Sequence, residues 1–307
     1  MRFAHRQEAG APLPAAFERD MPRCSVIIPV FNAAPFLRSC LDSVFGQTFR
    51  DIEAVCVDDG STDGSTACLA EYSVSDPRVN VVTQGHVGQT AARFLGIAKA
   101  KSDWIAFCDA DDWIEPDAIK EMVAAAEREG ADCVCCGMYR DGTDGKSVFR
   151  PFDCEGPSDT YNALVNKIFR RELLENLVVD PSITLGEDLM VAAQAMRKAK
   201  KIAVLDKAFY HYCENPGSVT HVQNGSKRVE DLARVGELLR EAMPGPEFAD
   251  FHDRVTRDAL LLWIRYRLFN RELWRRLRSH MSGGLLADPR HGIVKKGALA
   301  CAACLFD

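Results

Sequence analysis

From Cys24 to Tyr139 the chain alternates short runs of apolar, β-branched residues with stretches whose apolar positions recur at helical spacing. The runs "CSVIIPVF", "IEAVCVDD", "VNVVTQ", "WIAFCDA" and "ADCVCCGMY" read as strands, and helical patterns begin near Pro35, Thr62, Gly88 and Pro116. That order predicts βαβ units, and so an α/β fold with a mostly parallel open sheet flanked by helices and right-handed crossovers. Ligands in such sheets bind at the carboxyl ends of the strands. Three polar stretches fall there: Pro29-Val30-Phe31-Asn32, Asp58-Asp59-Gly60-Ser61 and Asp109-Ala110-Asp111-Asp112. Each alone would pass as an ordinary turn or helix cap. Three at one sheet edge predict a site.

Beyond residue 150 the pattern shortens to "YNALVNKIFRREL", "LGEDLMVAAQAMRKA", "KIAVLD" and "AFYHYC". Glu187 and Asp188 open a helix whose apolar positions are Leu189, Val191, Ala192, Ala195 and Met196. Acids in a first helical turn also have a structural use, because the helix dipole favours them. From Asn224 onward the pattern is helical. The expected organisation is a disordered extension over 1–22, with Met21 a plausible start, a catalytic domain over 23–223 and a helical basic region over 224–307.

The 307 residues, 47% hydrophobic and 27% charged, are enough for a sizeable core. A net charge of −6 argues against a nucleic-acid partner. Charge is uneven, however: eight arginines lie between Arg254 and Arg278 against Asp258 and Glu272. Arg265, Arg267, Arg271, Arg275, Arg276 and Arg278 are interleaved with Leu260, Trp263, Ile264, Phe269 and Trp274, so peripheral contact with anionic membrane is one expectation and a helical cover over the catalytic domain the other. The run "GALACAACLF" (297–306) is too short to span a bilayer. With no signal-peptide core in the N-terminal segment, a cytoplasmic location and reduced cysteines are expected. Cys133/Cys136 and Cys301/Cys304 have zinc-ligand spacing, but strand alternation would send Cys133 and Cys136 to opposite faces.

The segment "FCDADDW" packs three carboxylates into positions 109–112 directly after the apolar "WIAF". Carboxylates this close repel unless a cation, a proton or hydrogen-bond donors offset them. Asp-x-Asp at a strand end suits Mg²⁺ or Mn²⁺, which take hard oxygen ligands and commonly share them with phosphate. Neither a G-x-x-x-x-G-K-[ST] loop nor a G-x-G-x-x-G follows the first strand, so P-loop and dinucleotide chemistry are unsupported.

Seven segments in order, "SVIIPVFNA", "VDDGSTDGS", "GHVGQTAARFLGI", "DWIAFCDADDW", "NKIFRREL", "GEDL" and "YHYCENPGSVTH", resemble family 2 glycosyltransferases of the GT-A fold. The resemblance implies inverting transfer of a sugar, most commonly from a UDP-sugar, to the hydroxyl of a glycan or lipid-linked acceptor in surface polysaccharide assembly. It implies that Pro29 and Asn32 lie along the nucleotide, that Asp59 hydrogen-bonds the base, and that Arg93 and Asp109 contact the nucleotide-sugar. Asp111, with Asp109, would hold the metal bridging the diphosphate; His211 or His221 could complete its ligands. Asp188 matches the catalytic base, supported by Glu187. Departures are His86 and Phe94 where the family usually has Asn, and Pro35 where an acid is common. An aspartate-type phosphatase would usually have Thr where Trp113 stands; a nucleotidyltransferase would have a Gly-rich, Arg-containing loop near its first strand. A non-catalytic carbohydrate-binding relative is the other alternative.

Overall fold

The computed structural model describes residues 21–153, 162–215, 225–266 and 271–280. The extension over 1–20, His221, Arg267, the side chain of Arg271 and the C-terminal "CAAC" lie outside the described residues.

All five runs read as strands form them. β1 (Cys24–Val30), β2 (Ile52–Asp58), β3 (Val79–Thr83) and β4 (Trp104–Phe107) pair in parallel in the order β3-β2-β1-β4. The crossovers are α1 (Ala34–Phe45), α2 (Ser65–Ser75) and α3 (Gln89–Lys99). Pro35 stands in the first turn of α1, where its missing N–H has no intrahelical partner to lose. β1 and β2 are buried throughout, as expected of strands covered on both faces. Gly96 sets the α3 packing distance: a Cβ there would lie 2.4 Å from Ile27 Cγ2.

Beyond β4, antiparallel pairs join the parallel ones. After β5 (Trp113–Ile114) and α4 (Ala118–Glu129), β6 (Cys133–Asp141) turns back through β7 (Ser147–Arg150), and β8 (Lys167–Arg170) inserts antiparallel between β4 and β6. The two runs "KIAVLD" and "AFYHYC" form one strand, β9 (Ile202–Cys213), parallel to β6 with a register shift around Gly137 and antiparallel to β5. The sheet is therefore mixed. Cys133 lies against Cys135, 3.8 Å between sulfurs, whereas the Cys136 thiol donates to the Asn166 carbonyl, and the nine described cysteines are free thiols.

α5 (Glu187–Lys198) carries the Glu-Asp pair in its first turn, after Gly186 at φ 85°. One face of α5 joins the main core through Val191, Ala192 and Ala195; Leu189, Met190 and Ala193 meet Val235, Leu238 and Leu239 of α6 (Gly225–Ala242). α7 (Ala249–Arg265) and α8 (Arg271–Ser279) close a further cluster around Trp263 and Trp274, stacked with centroids 5.3 Å apart. Among the residues offered for insertion into lipid, Leu260, Trp263 and Trp274 are buried against neighbouring helices, whereas Leu261, Leu262 and Tyr266 are half-buried. α6 packs on α5, so this region lies against the catalytic domain. No helix among the described residues is long and apolar enough to cross a membrane.

Candidate active site

The ends of β1 and β2 are locked to each other. Asn32, at φ 49°, donates its backbone N–H to Ser61 Oγ (3.1 Å), and its Oδ1 accepts the Thr62 N–H (2.8 Å). Pro29 is buried and supports this edge from within β1. Its lack of an N–H is harmless because Ile27 makes the last pairing with β4, and the side toward which residue 29 directs its backbone is already open. Phe31 stays 45% exposed and stacks on His86, centroids 4.1 Å apart.

Asp58 and Asp59 divide structural labour. Asp58 accepts the Ser61 N–H (2.9 Å) and the Thr66 hydroxyl (2.6 Å), which shapes the turn into α2. Buried Asp59 accepts from Gln84 Nε2 (2.7 Å), Val87 N–H (2.8 Å) and Gly88 N–H (2.8 Å), with His86 Nδ1 at 3.1 Å. Four partners fill a carboxylate's lone-pair directions. Asp59 therefore holds the loop into α3, and a nucleobase would have to displace one of these donors to bond it.

The crowding at 109–112 resolves into three different environments. Asp112 is buried, accepts the Tyr210 hydroxyl (2.5 Å) and the Cys213 N–H (2.8 Å), and is pushed well up by burial and by its two neighbours. Tyr210 also accepts the Asp109 N–H (3.1 Å), so this one phenol pins the turn at both ends. Asp109 faces Arg93 Nη2 (2.8 Å) and Gln89 Nε2 (3.2 Å). Asp111 accepts from Asn215 Nδ2 (3.1 Å), and burial together with Asp109 raises its pKa.

Arg93 joins this turn to the opposite side of the site. Its buried guanidinium bonds Asp109 through one terminal nitrogen and Asp188 through the other, with Glu187 Oε1 at 3.8 Å. Burial alone would lower its pKa, but the three carboxylates outweigh that and raise it. Asp188 also faces the Leu164 N–H at 3.4 Å; burial raises its pKa against the pull of Arg93. Glu187 is lifted further, to about 7, by burial and by the Asp188 charge. The α5 N-terminus favours both charges, so desolvation and like-charge repulsion prevail over the helix dipole here.

His211 sits in a packed cluster. Its Nδ1 lies 2.9 Å from Asp141 Oδ2 and its Nε2 3.1 Å from Glu115 Oε1. The ring is sandwiched between Trp113 (3.5 Å) and Tyr139 (4.6 Å). Both ring nitrogens of His211 thus face carboxylates, and His221 lies outside the described residues. Among the described residues no group of three or more His, Cys, Asp or Glu side chains is arranged to hold a metal ion. What does fit a divalent cation is the Asp109/Asp111 pair: two hard oxygen donors at a strand end, with Asp111 held by one amide and destabilised by its neighbour's charge.

A cavity of about 600 Å³ lies beside the base pair, lined by Asp109, Glu187 and Asp188 and by residues of β6, β7, β9, α6 and α7. The sequence had not singled out Gln89, Tyr210 and Asn215, nor Arg140, Arg150 and Arg228 on the cavity wall. Gln89 lies within "GHVGQTAARFLGI" and Tyr210 and Asn215 within "YHYCENPGSVTH", so the resemblance carried a signal for these three; Arg140, Arg150 and Arg228 carried none.

The sequence profile of the family described as "Glycosyl transferase family 2" matches residues 25–179, half of the chain and the part that carries both the Asp-x-Asp turn and Arg93. The chain belongs to glycosyl transferase family 2. It is 31% identical over 220 residues to the uncharacterized glycosyltransferase EpsJ of Bacillus subtilis, covering 66% of this chain and 64% of EpsJ. It is 29% identical over 230 residues to the succinoglycan biosynthesis protein ExoO of Rhizobium meliloti, covering 68% and 65%. The match thus spans slightly under two thirds of these relatives. The fold of the family 2 chain is similar to that of S. aureus TarS (residues 1–349, in complex with UDP), with a TM-score of 0.66 at 20% identity over 86% of this chain and 82% of TarS.

Proposed function

We propose that the protein is an inverting glycosyltransferase that moves a sugar from a nucleoside-diphosphate sugar to an acceptor hydroxyl. The observation that carries this reading is the Arg93 bridge. One guanidinium ties Asp109, at the strand end, to Glu187 and Asp188 at the start of α5, so two separate carboxylate sets face one site.

An in-line displacement needs this division, because the leaving diphosphate and the attacking hydroxyl lie on opposite faces of the anomeric carbon. Asp188 takes the hydroxyl proton, the oxygen forms a bond to the anomeric carbon, and the electron pair of the old bond leaves on the diphosphate. Its raised pKa suits it to that role, since a buried carboxylate is a stronger base than an exposed one. Glu187 supports it from the same turn. Arg93 orients Asp188 and Asp109 together, and the exposed Phe31–His86 pair offers a nucleobase a stacking surface. Asp111 and Asp109 would hold Mn²⁺ or Mg²⁺. Such a cation supplies charge neutralisation for the departing diphosphate.

The UDP bound by TarS makes uridine nucleotides the first donors to try, and the role printed for ExoO supports an acceptor in polysaccharide assembly. A cytoplasmic enzyme at the inner face of the membrane fits these acceptors. Exposed Arg265, Arg275 and Arg278 would add a salt-sensitive attraction to anionic lipid. The test is release of nucleoside diphosphate from UDP- and GDP-sugars with Mn²⁺ and glycan acceptors. Asp188→Asn should bind donor as wild type does and transfer roughly 10²-fold or more slowly. Near-normal turnover in that variant would move the base elsewhere.

A further inference from the structure

β8 carries a lysine where a core residue belongs. Its neighbours Ile168 and Phe169 are fully buried, and Lys167 itself is 1% exposed, on a strand enclosed between β4 and β6. Lysine is almost never buried to this extent unless its charge is used, and an apolar side chain would fill the place at a lower desolvation cost. Burial does lower the Lys167 pKa, against the pull of the Cys135, Cys133 and Cys136 thiols and of Asp188.

The Lys167 ammonium closes the turn that precedes β8. Its Nζ donates to the Ala163 carbonyl (2.5 Å) and to Asn166 Oδ1 (2.8 Å), and the Lys167 backbone N–H donates to the Leu164 carbonyl (3.2 Å). Asn166 fastens the same turn to β6: its Nδ2 donates to the Cys136 carbonyl (2.7 Å), and its own carbonyl accepts the Cys136 N–H (3.0 Å). This turn reaches the base. The Leu164 N–H lies 3.4 Å from Asp188 Oδ2, while Asp188 Oδ1 accepts from Arg93.

The charges around Asp188 come from every side. Arg93 faces it from α3, Asp109 from the end of β4, Glu187 from its own turn and Lys167 from behind β8, and the cavity wall adds Arg140, Arg150, Arg228 and Asp258. Burial raises the Asp188 pKa most, Arg93 lowers it and Asp109 raises it; the Leu164 N–H and Lys167 lower it further. Arg93 is shared with Asp109, so its charge is divided between the two carboxylates. A second buried cation therefore matters, because charges in the interior are poorly screened.

We propose that Lys167 is a positioning residue for Asp188: it holds the turn that presents the Leu164 N–H, and from within the core it supplies a positive charge that keeps the carboxylate ionised. The proposal rests on the glycosyltransferase reading, which makes Asp188 the base.

Three variants of the full chain test it. Lys167→Met removes the charge at similar volume, Lys167→Gln keeps a donor for Ala163 without the charge and serves if the first does not fold, and Lys167→Arg keeps the charge. Thermal unfolding reports that each is folded, and transfer is then measured against pH with UDP- and GDP-sugars, Mn²⁺ and glycan acceptors. A rate that needs ionised Asp188 falls at low pH, and loss of a nearby cation makes the carboxyl hold its proton to higher pH. That acid limb should move up by about half a pH unit or more in the Met and Gln variants, so that kcat on the limb falls at least about threefold while the donor KM is unchanged, and Lys167→Arg should bring the limb back. A folded Met or Gln variant whose limb stays in place, whatever its rate, overturns the proposal, because a purely structural lysine changes the rate without moving the limb. The Asp188 carboxyl is followed in parallel by NMR in protein labelled with ¹³C-carboxyl aspartate, its signal assigned by its loss in Asp188→Asn. Its titration midpoint should rise in the Met and Gln variants and return in Lys167→Arg. If the wild type transfers no sugar, the transferase reading falls and this signal still decides: a midpoint that follows the Lys167 charge upholds its action on Asp188, and an unmoved midpoint overturns it.

Discussion

Replacing Glu187 with glutamine should stabilise the protein above neutral pH and change little near pH 4.5. In the folded chain the Glu187 pKa rises from 4.5 to about 7, chiefly through burial and then through the Asp188 charge. Between those two values the folded state holds a proton that the unfolded chain has already released. Stability therefore falls as pH rises through this interval, and the full cost is present above it. At about 1.4 kcal/mol per pKa unit, that cost is on the order of 3 kcal/mol at pH 8. Glutamine keeps the shape without the charge, but its amide must still be solvated in a half-buried turn. A gain of roughly 1–3 kcal/mol is therefore expected. Asp111, Asp112 and Asp188 are raised by burial too, so the variant should keep part of the slope. Chemical denaturation of both proteins at pH 5, 6, 7 and 8 measures this directly. Identical pH slopes, or a variant less stable than wild type at pH 8, would refute the claim that desolvation and Asp188 prevail over Arg93 at this position.

Arg93→Met removes the cation shared by Asp109, Glu187 and Asp188, and breaking a buried pair by deleting one partner costs about 3–5 kcal/mol; a midpoint shift under about 1 kcal/mol would show that the cluster does not depend on it. Gly96→Ala drives a methyl to 2.4 Å from Ile27 Cγ2 and should destabilise by about 1–3 kcal/mol in the same denaturation assay; an unchanged midpoint would show that α3 does not depend on this close approach. Asp111→Asn should weaken UDP binding in Mn²⁺ by at least about tenfold and leave binding in EDTA unchanged, measured by calorimetry; equal weakening in both would assign Asp111 a structural role instead.

The strands that build the floor of the site were legible because a buried parallel strand is nearly continuous in apolar residues, as "CSVIIPV", "IEAVCVD" and "WIAF" are apart from Ser25, Glu53 and the strand-end Asp58. Their carboxyl ends, and with them the convergence of Asn32, Asp59 and Asp109, followed from chain direction alone. The Glu-Asp pair was legible as a helix start for a similarly local reason. What the sequence could not contain is how charge is shared between segments far apart in it. Asp109, Asp111 and Asp112 are alike on paper, yet Tyr210, Arg93 and Asn215, 16 to 104 residues away in the chain, give each a different neighbour. The pairing of β5 with β9 brings Glu115 and Trp113 to the His211 ring, a neighbourhood that chain order does not show. The antiparallel insertion of β8 and the burial of Trp263 against Trp274 were hidden likewise, since strand direction and helix packing are decided by nonlocal contact and not by local periodicity. The sequence by itself determined which residue types reach the site edge. Only the tertiary structure decided which of them are left with charge to spend on a ligand, because desolvation and pairing depend on neighbours that the chain order does not reveal.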